Sequence, residues 1–525
     1  MDKVKVGRVL VSVTDKSGVA EFAKALSDEF GAEVVSTGGT ARVIADAGVD
    51  VRPIDDLTGF PEMMEGRVKT LHPKVHGGLL ADRSKSEHMA QAEEHGIGMI
   101  DMVVVNLYAF EETIAKPDVT LADAIENIDI GGPSMLRSAA KNFASVAVVT
   151  DPADYEAILE EMRANEGATL YETRQRLATE VFRKTSAYDN AIFSYLSAQL
   201  GSASEADALY PPDVRFFLEK VQDLRYGENP HQEAAFYRFV DSKEQTLARA
   251  EQVQGKELSY NNILDTDAAW AAVREFDEPA CVIVKHMNPC GTAIADDLTT
   301  AYKRAHEGDP ISAFGGVMAF NRTVPASLIQ AVFDNEQFVE VMIAPDYEPA
   351  ALELIAEKPN ARVLETDGVR APGGHYESRA VEGGMLVQIS DTVAEKPEDF
   401  EVVTERAPSE DEMAQLMFAW RVAKSVKSNA ILLAKGFQSV GVGAGQMSRV
   451  DAAKIAVDKA GERAQGAVAA SDAFMPFPDS LEVCAEAGVT AVIQPGGSQR
   501  DQEAIDMANK HGVAMVFTGH RHFRH

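Results

Sequence analysis

Cysteine is nearly missing from this chain: its 525 residues include only Cys281, Cys290 and Cys484. Three thiols build no disulfide framework, and no Cys-x-x-Cys pair is present to hold a metal or run dithiol redox chemistry. Such sparse cysteine fits a reducing compartment, and a cytoplasmic location is expected. Long apolar runs are missing too. None reaches the roughly 18 residues a membrane span needs, so no membrane partner is expected. The opening MDKVKVGRVLVSVTDKSG is briefly basic and then apolar. It lacks a small-residue cleavage site and runs into a polar loop and a helical pattern, so it reads as the first strand of a folded domain. No fixed-period repeat of the solenoid kind is found.

Positive charge is scarce. Fifty Lys and Arg face 82 Asp and Glu, for a formal net charge of −32. A surface that acidic repels nucleic acid and anionic membrane, and it reads first as a solubility device suited to a salt-rich cytoplasm. If the substrates are anions, the few basic side chains must be concentrated at their sites, so each cluster of Lys, Arg and His is worth locating.

The chain is too long for one core, and two or three domains are expected. Early on, apolar runs and helical spacings alternate. Residues 6–13, 32–36, 49–54, 102–107 and 146–150 read as strands, and 19–30, 41–47, 121–128, 135–142 and 153–163 as helices. The second of the paired helices, 135–142, is expected to begin after a Gly131-Gly132-Pro133 break. Alternation of this kind implies an α/β fold with a parallel sheet covered on both faces, whose ligands sit beyond the carboxyl ends of the strands. Residues 173–200 look helical throughout, and the polar, turn-rich 201–213 is the expected linker between a domain at 1–200 and a longer α/β region at 214–525. Valine-rich strands recur at 281–284, 439–442, 466–469, 490–493 and 513–517. Residues 371–378 look loop-like, and the acidic 395–411 is expected to be exposed.

Two strand-to-helix turns in the first domain suit a phosphate: Thr14-Asp15-Lys16-Ser17-Gly18 and Ser36-Thr37-Gly38-Gly39-Thr40. Free amides at a helix start, flanked by hydroxyls and a lysine, bind anions. Neither matches the P-loop or dinucleotide spacing, and each alone also fits a plain helix cap. Their pairing on neighbouring strands favours the phosphate. Arg67, Lys69 and His72 crowd a Gly/Pro-rich loop, Asn106 and Tyr108 end an apolar strand, and Asp129 precedes a helix carrying Arg137 and Lys141 one turn apart. Lys69, Tyr108, Asp129 and Lys141 together form a candidate acid/base group.

In the second region, Leu224 to Gln232 concentrates Arg, Tyr, Asn and His in a loop. Lys285-His286 can share one site only if the strand ends there, and Asn288-Pro289 is the expected end. The glycines of Gly441 to Gly445 are read as room for a ligand to approach the backbone. Ser471 to Phe477 offers an aromatic wall and Gln494 to Ser498 a tight turn. The tail, His520 to His525, reads as a metal-binding tract, a tag, an anion contact or a docked terminus, the last two being favoured by its arginines and Phe523. Zinc nucleobase deaminases need His-x-Glu and Pro-Cys-x-x-Cys. Pro289-Cys290 is present, but Ala293 stands where the second Cys would be and the upstream pattern is His286-Met287-Asn288, so no catalytic metal is expected.

Taken together, the stretches STGGTARVIADAG, LTGFPEMMEGRVKTLHPKVHGGLLA, NLYAFEETI, IDIGGPSMLRSAAKN, LRYGENPHQ, GKELSYNNILDTDAAW, VKHMNPCGTA, DPISAFGG, SNAILLA, VGVGAGQMSRVD, SDAFMPFPDS and QPGGSQRD resemble, in order, the bifunctional family that joins phosphoribosylaminoimidazolecarboxamide formyltransferase to IMP cyclohydrolase. The resemblance implies a methylglyoxal-synthase-like cyclohydrolase domain followed by two cytidine-deaminase-like subdomains that transfer a formyl group without zinc. It implies 10-formyltetrahydrofolate as donor, an intertwined homodimer with shared transferase sites, and no nucleic acid partner. It leaves open a structural potassium ion.

By motif match, the resemblance implies a nucleotide phosphate against Thr14, Asp15, Lys16, Thr37, Gly38, Gly39 and Thr40. Arg67, Lys69, Thr70, Asn106, Asp129 and Ile130 complete that pocket. Lys141 is implied as the cyclohydrolase proton donor and acceptor, assisted by Lys69, Tyr108 and Asp129. His286 is implied as the transferase base and Lys285 as the stabiliser of its transition state. Arg225, Tyr226, Gly315, Glu340, Asn429, Arg449, Phe474 and Arg521 would hold the ribonucleotide, and Val450, Asp479, Ser498 and Gln499 would face the folate. A competing reading makes the first domain a nucleotide sensor without chemistry of its own.

Overall fold

A computed structural model of the chain describes residues 2–200, 210, 214–240, 242, 245–369 and 376–525. The chain divides into two compact units, Met1–Arg215 and Phe216–His525. All of the expected linker except Tyr210 and part of the expected 371–378 loop lie outside the described residues. Tyr376 to Ser378 are not loop: they begin a strand, Tyr376–Val381, that pairs antiparallel with Gly384–Ile389.

The first unit is built on five parallel strands: β1 (Arg8–Ser12), β2 (Glu33–Ser36), β3 (Val51–Pro53), β4 (Met102–Val105) and β5 (Ala147–Val149), in the order β3-β2-β1-β4-β5. Every residue of β4, Met-Val-Val-Val, is buried, as a strand covered on both faces requires. Helix α1 (Val19–Asp28) buries Val19, Phe22, Ala23 and Leu26, the i, i+3, i+4, i+7 stripe of an amphipathic helix. The chain winds outward from β1 to β3 and then crosses back to β4. The strand order therefore reverses between β1 and β4, and a crevice forms beyond their carboxyl ends.

Helix α2 (Gly38–Asp46) follows β2, and α3 (Pro73–Leu80) follows the Arg67–His72 loop. Helix α4 spans Gly131–Lys141. The Gly131-Gly132-Pro133 run is therefore its first turn and not a break. Proline is tolerated there because the first amides of a helix have no intrahelical partner to lose. Helix α5 (Tyr171–Leu200) packs against α4.

The second unit contains one design twice. Its first sheet comprises β6 (Glu251–Gln254), β7 (Ala280–Lys285), β8 (Asn288–Ile294), β9 (Gly316–Phe320), β10 (Val339–Ala344) and β11 (Arg362–Glu365), ordered β6-β11-β10-β9-β7-β8. Its second comprises β12 (Glu401–Val402), β13 (Ile431–Ala434), β14 (Ser439–Gly443), β15 (Val468–Ser471), β16 (Ala491–Gln494) and β17 (Ala514–Phe517), ordered β12-β17-β16-β15-β13-β14. Each has an antiparallel hairpin at one edge and three parallel strands beside it. Helices α6 (Tyr260–Val273) and α7 (Glu410–Ala423) share one apolar cluster with the inner faces of both sheets, including Trp270, Val282, Trp420 and Leu432. The sheets meet where the Thr292 amide donates to Ser439 Oγ at 2.8 Å and the Ile294 amide to the Phe437 carbonyl at 3.1 Å.

The glycines of β14 serve this packing. A Cβ on Gly441 or Gly443 would strike the carbonyl oxygens of Ala456 and Ala452 in helix α8 (Arg449–Ala460). The expectation that these two make room for a ligand is corrected: they let a helix lie flush on the strand. The acidic 395–411 segment is not uniformly exposed either. Glu395 is nearly buried and Thr404 is buried, while Glu410 and Asp411, which open α7, are exposed.

Candidate active sites

In the first unit the turn after β1 is laced to the end of β4. Asn106 Oδ1 accepts the amides of Thr14 at 2.5 Å and Asp15 at 3.1 Å, and its own amide donates to the Asp15 carbonyl at 2.9 Å. The Ser17 hydroxyl and amide donate to Asp15, holding its carboxyl below the usual range. Thr37 and Thr40 spend their hydroxyls on the scaffold. Thr37 Oγ1 lies 2.9 Å from Ser12 Oγ, and the Thr40 hydroxyl bridges the amide and carbonyl of Val13. What faces outward is the start of α2 at Gly38-Gly39, with exposed backbone. Two lysines flank it: a Cβ built on Gly38 would lie 3.3 Å from Lys69 Nζ, and one on Gly39 3.8 Å from Lys16 Cε. Glycine at both positions keeps that approach open.

Lys69 is ion-paired with Glu62 at 2.7 Å, a partner the motifs did not reveal. Thr70 is buried against Gly131, where a Cβ would fall 2.9 Å from its hydroxyl. Asp129 accepts the Gly132 amide at 2.9 Å, and its own amide donates to Tyr188 Oη at 2.7 Å. Burial pushes the Asp129 carboxyl up, against the downward pull of the Gly132, Tyr108 and Gly131 amides. Burial, then the negative charges of Asp129 and Glu62, push the Tyr108 phenol up. Charge therefore couples Tyr108, Asp129, Glu62 and Lys69. A cavity of about 280 Å³ adjoins them, lined by Asn106, Tyr108, Phe110, Thr150, Lys184 and Tyr188.

Arg67 forms an exposed ion pair with Glu126. Ile130, between Asp129 and the start of α4, is exposed. Lys141 closes α4, ten residues after Gly131, which at about 1.5 Å per residue is about 15 Å along the axis. It then leads, through Val146, into the amino end of β5, whereas Asp129 lies at the carboxyl ends of the strands. Within a single chain the length of α4 separates Lys141 from the Lys69, Tyr108 and Asp129 group, and its implied part in ring closure stays a proposal.

In the second unit the β7–β8 hairpin turns at His286-Met287, both in the left-handed region with φ of 52° and 62°. Asn288-Pro289 does not end the ladder as expected. Lys285 pairs with Asn288, and Pro289 continues β8 opposite Val284 at a register shift. The two-residue turn projects His286 into solvent. Asp265, on α6, accepts the amides of His286 at 3.2 Å and Met287 at 2.7 Å. One turn earlier on α6, Asn261 donates to the Glu228 carbonyl at 3.3 Å. One helix face thus ties the Arg225-Tyr226 loop and the His286 turn to the same support. Arg225 lies 5.1 Å from the Tyr226 ring centroid. Lys285 Nζ donates to the Phe314 carbonyl at 2.6 Å, beside Gly315, whose φ is +72°. Glu340 is engaged by Arg362 at 2.8 Å.

A second node adjoins the hairpin. Asn288 accepts the Lys427 amide at 3.0 Å, placing the next residues, Ser428-Asn429, beside the turn. Arg449 donates to Asn429 at 2.8 Å and to Ser471 at 2.9 Å, and it is ion-paired with Asp472. Asp472 also accepts from the Ser428 hydroxyl and the Ala430 amide. Both charges are buried. Removing either would strand the other, at about 3–5 kcal/mol. Phe474 is half-buried two residues past Asp472, and Val450 follows Arg449. Asp479 opens the helix Asp479–Glu486. Ser498 donates its amide to Asp501 at 3.1 Å, and Gln499 is exposed. Arg521 is exposed on the C-terminal tail, 4.6 Å from the Phe523 ring. Among the described residues, no three His, Cys, Asp or Glu side chains gather as a metal site.

Two α/β units, each gathering its own cations and acids, carry two candidate sites for small anionic substrates. Comparison with known proteins gives the family. Residues 18–134 match the MGS-like domain, and residues 139–459 match the AICARFT/IMPCHase bienzyme. The bifunctional purine biosynthesis protein PurH of Oceanobacillus iheyensis is 53% identical over 518 residues, covering 99% of each chain. A solved structure described as "Crystal structure of ForH" is 37% identical, covering 36% of this chain and 97% of that one with a TM-score of 0.33. The chain belongs to the AICARFT/IMPCHase bienzyme family: it is a bifunctional purine-biosynthesis enzyme, a formyltransferase and an IMP cyclohydrolase in one polypeptide.

Proposed function

We propose that the second unit transfers a formyl group from 10-formyltetrahydrofolate to 5-aminoimidazole-4-carboxamide ribonucleotide, and that the first unit closes the product to inosine monophosphate. The observation that carries this reading is the gathering of Lys16, Lys69, Tyr108 and Asp129 around one crevice, with Lys285 and His286 on a braced turn in the other unit.

In the transferase step the nucleophile is an aromatic amine, weak because its lone pair is delocalised toward the carboxamide. His286, solvent-facing on its turn, takes the amine proton as nitrogen attacks the formyl carbon, and that proton passes to the folate nitrogen as its bond to the formyl carbon breaks and tetrahydrofolate leaves. Lys285, held by the Phe314 carbonyl, stabilises the oxyanion, a contribution of about 3 kcal/mol for one well-placed donor. Arg225, Tyr226, Gly315, Asn429, Arg449, Phe474 and Arg521 hold the ribonucleotide. Glu340 is paired with Arg362, so it contributes only if that pair opens. Val450, Asp479, Ser498 and Gln499 face the folate.

In ring closure the carboxamide nitrogen attacks the formyl carbon of the same molecule and water leaves. Intramolecular geometry already supplies a high effective molarity, so the site must hold the reactive rotamer and move protons. The phosphate lies on the Gly38-Gly39 amides between Lys16 and Lys69. Asp129, as carboxylate, takes the nitrogen's proton, and the Tyr108 phenol donates toward the departing oxygen.

The six-stranded halves of the second unit are read as cytidine-deaminase-like subdomains working without zinc. Their shared strand order and Ala293 at the second cysteine's place support this. A cytoplasmic homodimer with shared transferase sites completes the proposal. Sedimentation of the full chain tests the dimer. Formylated ribonucleotide supplied to His286→Ala tests the separation of sites, because closure must survive.

A further inference from the structure

The C-terminal tail is fastened at four points. The Gly519 amide donates to the Pro495 carbonyl at 3.1 Å, and the His522 amide to the Asp472 carbonyl at 3.0 Å. The Arg524 carbonyl accepts the Ser428 amide at 2.9 Å. The fourth fastening is a side chain. The His522 ring, almost fully buried, has Nδ1 2.5 Å from Asp391 and Nε2 3.0 Å from Glu395. Both nitrogens face carboxylate oxygens, so both must donate, and the ring is an imidazolium. The Trp420 ring packs on it at 5.0 Å between centroids.

Arg521 and Arg524 flank His522, and the tail's backbone partners, Asp472 and Ser428, belong to the node that holds Asn429 and Arg449. We propose that His522 is a positioning residue of the transferase: a buried cationic latch between Asp391 and Glu395 that fixes the tail so that Arg521 meets the ribonucleotide anion. This rests on the reading of Arg521 as a ribonucleotide contact. None of the sequence motifs pointed to Asp391 or Glu395 as partners.

The charged groups facing the latch are few. Asp391 and Glu395 meet the ring directly, and Lys424, which caps the C-terminus of α7, reaches the same loop, donating to the Val393 carbonyl at 3.4 Å. Asp472 meets the backbone of His522, but its carboxylate is committed to Arg449 and Ser428. Burial alone would lower the histidine; the two carboxylates outweigh it and raise it to about 9. A raised basic group stabilises the folded tail fully below its unfolded pKa and loses that contribution as pH rises through about 9. The latch therefore opens on the alkaline side.

Steady-state formyl transfer by the full-length enzyme tests this across pH 7–10, alongside His522→Gln, Glu395→Gln and Arg521→Gln. Losing a charge-assisted hydrogen bond corresponds to about 10–100-fold, so His522→Gln is expected to raise the KM for ribonucleotide about tenfold or more at pH 7. The kcat should change far less, ring closure should be unaffected, and the alkaline rise in KM expected of the parent enzyme should vanish. Glu395→Gln should shift that rise to lower pH. A parental KM and pH profile in His522→Gln overturns the latch. An unchanged KM in Arg521→Gln overturns the reading of Arg521, and with it the latch in this form, whatever His522→Gln does. If His522→Gln fails to fold, the shift expected of Glu395→Gln decides, and its absence counts against the proposal.

Discussion

The Asp265 carboxylate accepts the backbone amides of both His286 and Met287, at 3.2 Å and 2.7 Å. Those two residues occupy left-handed backbone that hairpin turns usually give to Asn-Gly. Bulky side chains there cost about 1–3 kcal/mol each. Two charge-assisted hydrogen bonds from one helix offset that cost and aim the imidazole outward.

Asp265→Ala is expected to lower kcat for formyl transfer about tenfold or more while ring closure proceeds at the parental rate. Asp265→Asn, which keeps one acceptor oxygen, should fall between. Parallel assays of both steps on each variant check this. Equal loss of both activities would mean the turn matters only for folding.

In the first unit, geometry ranks the acid/base residues. Asp129→Asn is expected to slow ring closure by about 10²–10⁴-fold, the range for a positioned proton-transfer group. Lys141→Ala should slow closure less, with formylated intermediate accumulating modestly, since α4 holds Lys141 at its opposite end. Single-turnover closure of purified intermediate gives the ranking. A larger loss for Lys141→Ala than for Asp129→Asn would refute it.

Burial raises the Asp129 carboxyl, so it ionises at higher pH than a solvent-exposed aspartate does. If ionised Asp129 takes the proton, closure should fall on the acid side, with a limb displaced upward from that of a solvent-exposed aspartate. Asp129→Asn should abolish the limb along with the rate. A pH–rate profile of closure from pH 4 to 8 measures it.

Gly443→Ala is expected to destabilise the second unit by about 1–3 kcal/mol through overpacking against the Ala452 carbonyl. Calorimetry of the full chain should show a lower-melting transition for that unit and an unmoved one for the first. Weakened ribonucleotide binding at unchanged stability would instead restore a ligand role for this glycine.

Much of the scaffold was legible in the sequence because local patterns encode it. The Met-Val-Val-Val run of β4 has no solvent face, and the α1 stripe has helical spacing. Legibility failed where tertiary context overrode a local cue. Gly131-Gly132-Pro133 looks like punctuation but starts α4, and Gly441 and Gly443 look like a ligand loop but seat a helix. In the sites, lysines and histidines in contiguous motifs were visible. Their acidic partners were not: Glu62 for Lys69, Asp265 for the His286 turn, Asp472 for Arg449, and Asp391 with Glu395 for His522. Most come from other elements, and a lone acid in a chain with 82 of them carries no signal. Lys141 is the converse, near Asp129 in sequence and remote along the helix.

The most direct test supplies full-length enzyme with aminoimidazole carboxamide ribonucleotide and 10-formyltetrahydrofolate while following tetrahydrofolate and inosine monophosphate separately. Two separate sites predict both products from the parent enzyme, neither from His286→Ala, and tetrahydrofolate with little inosine monophosphate from Asp129→Asn. Undiminished inosine monophosphate from Asp129→Asn, or tetrahydrofolate released at the parental rate by His286→Ala, would contradict the account.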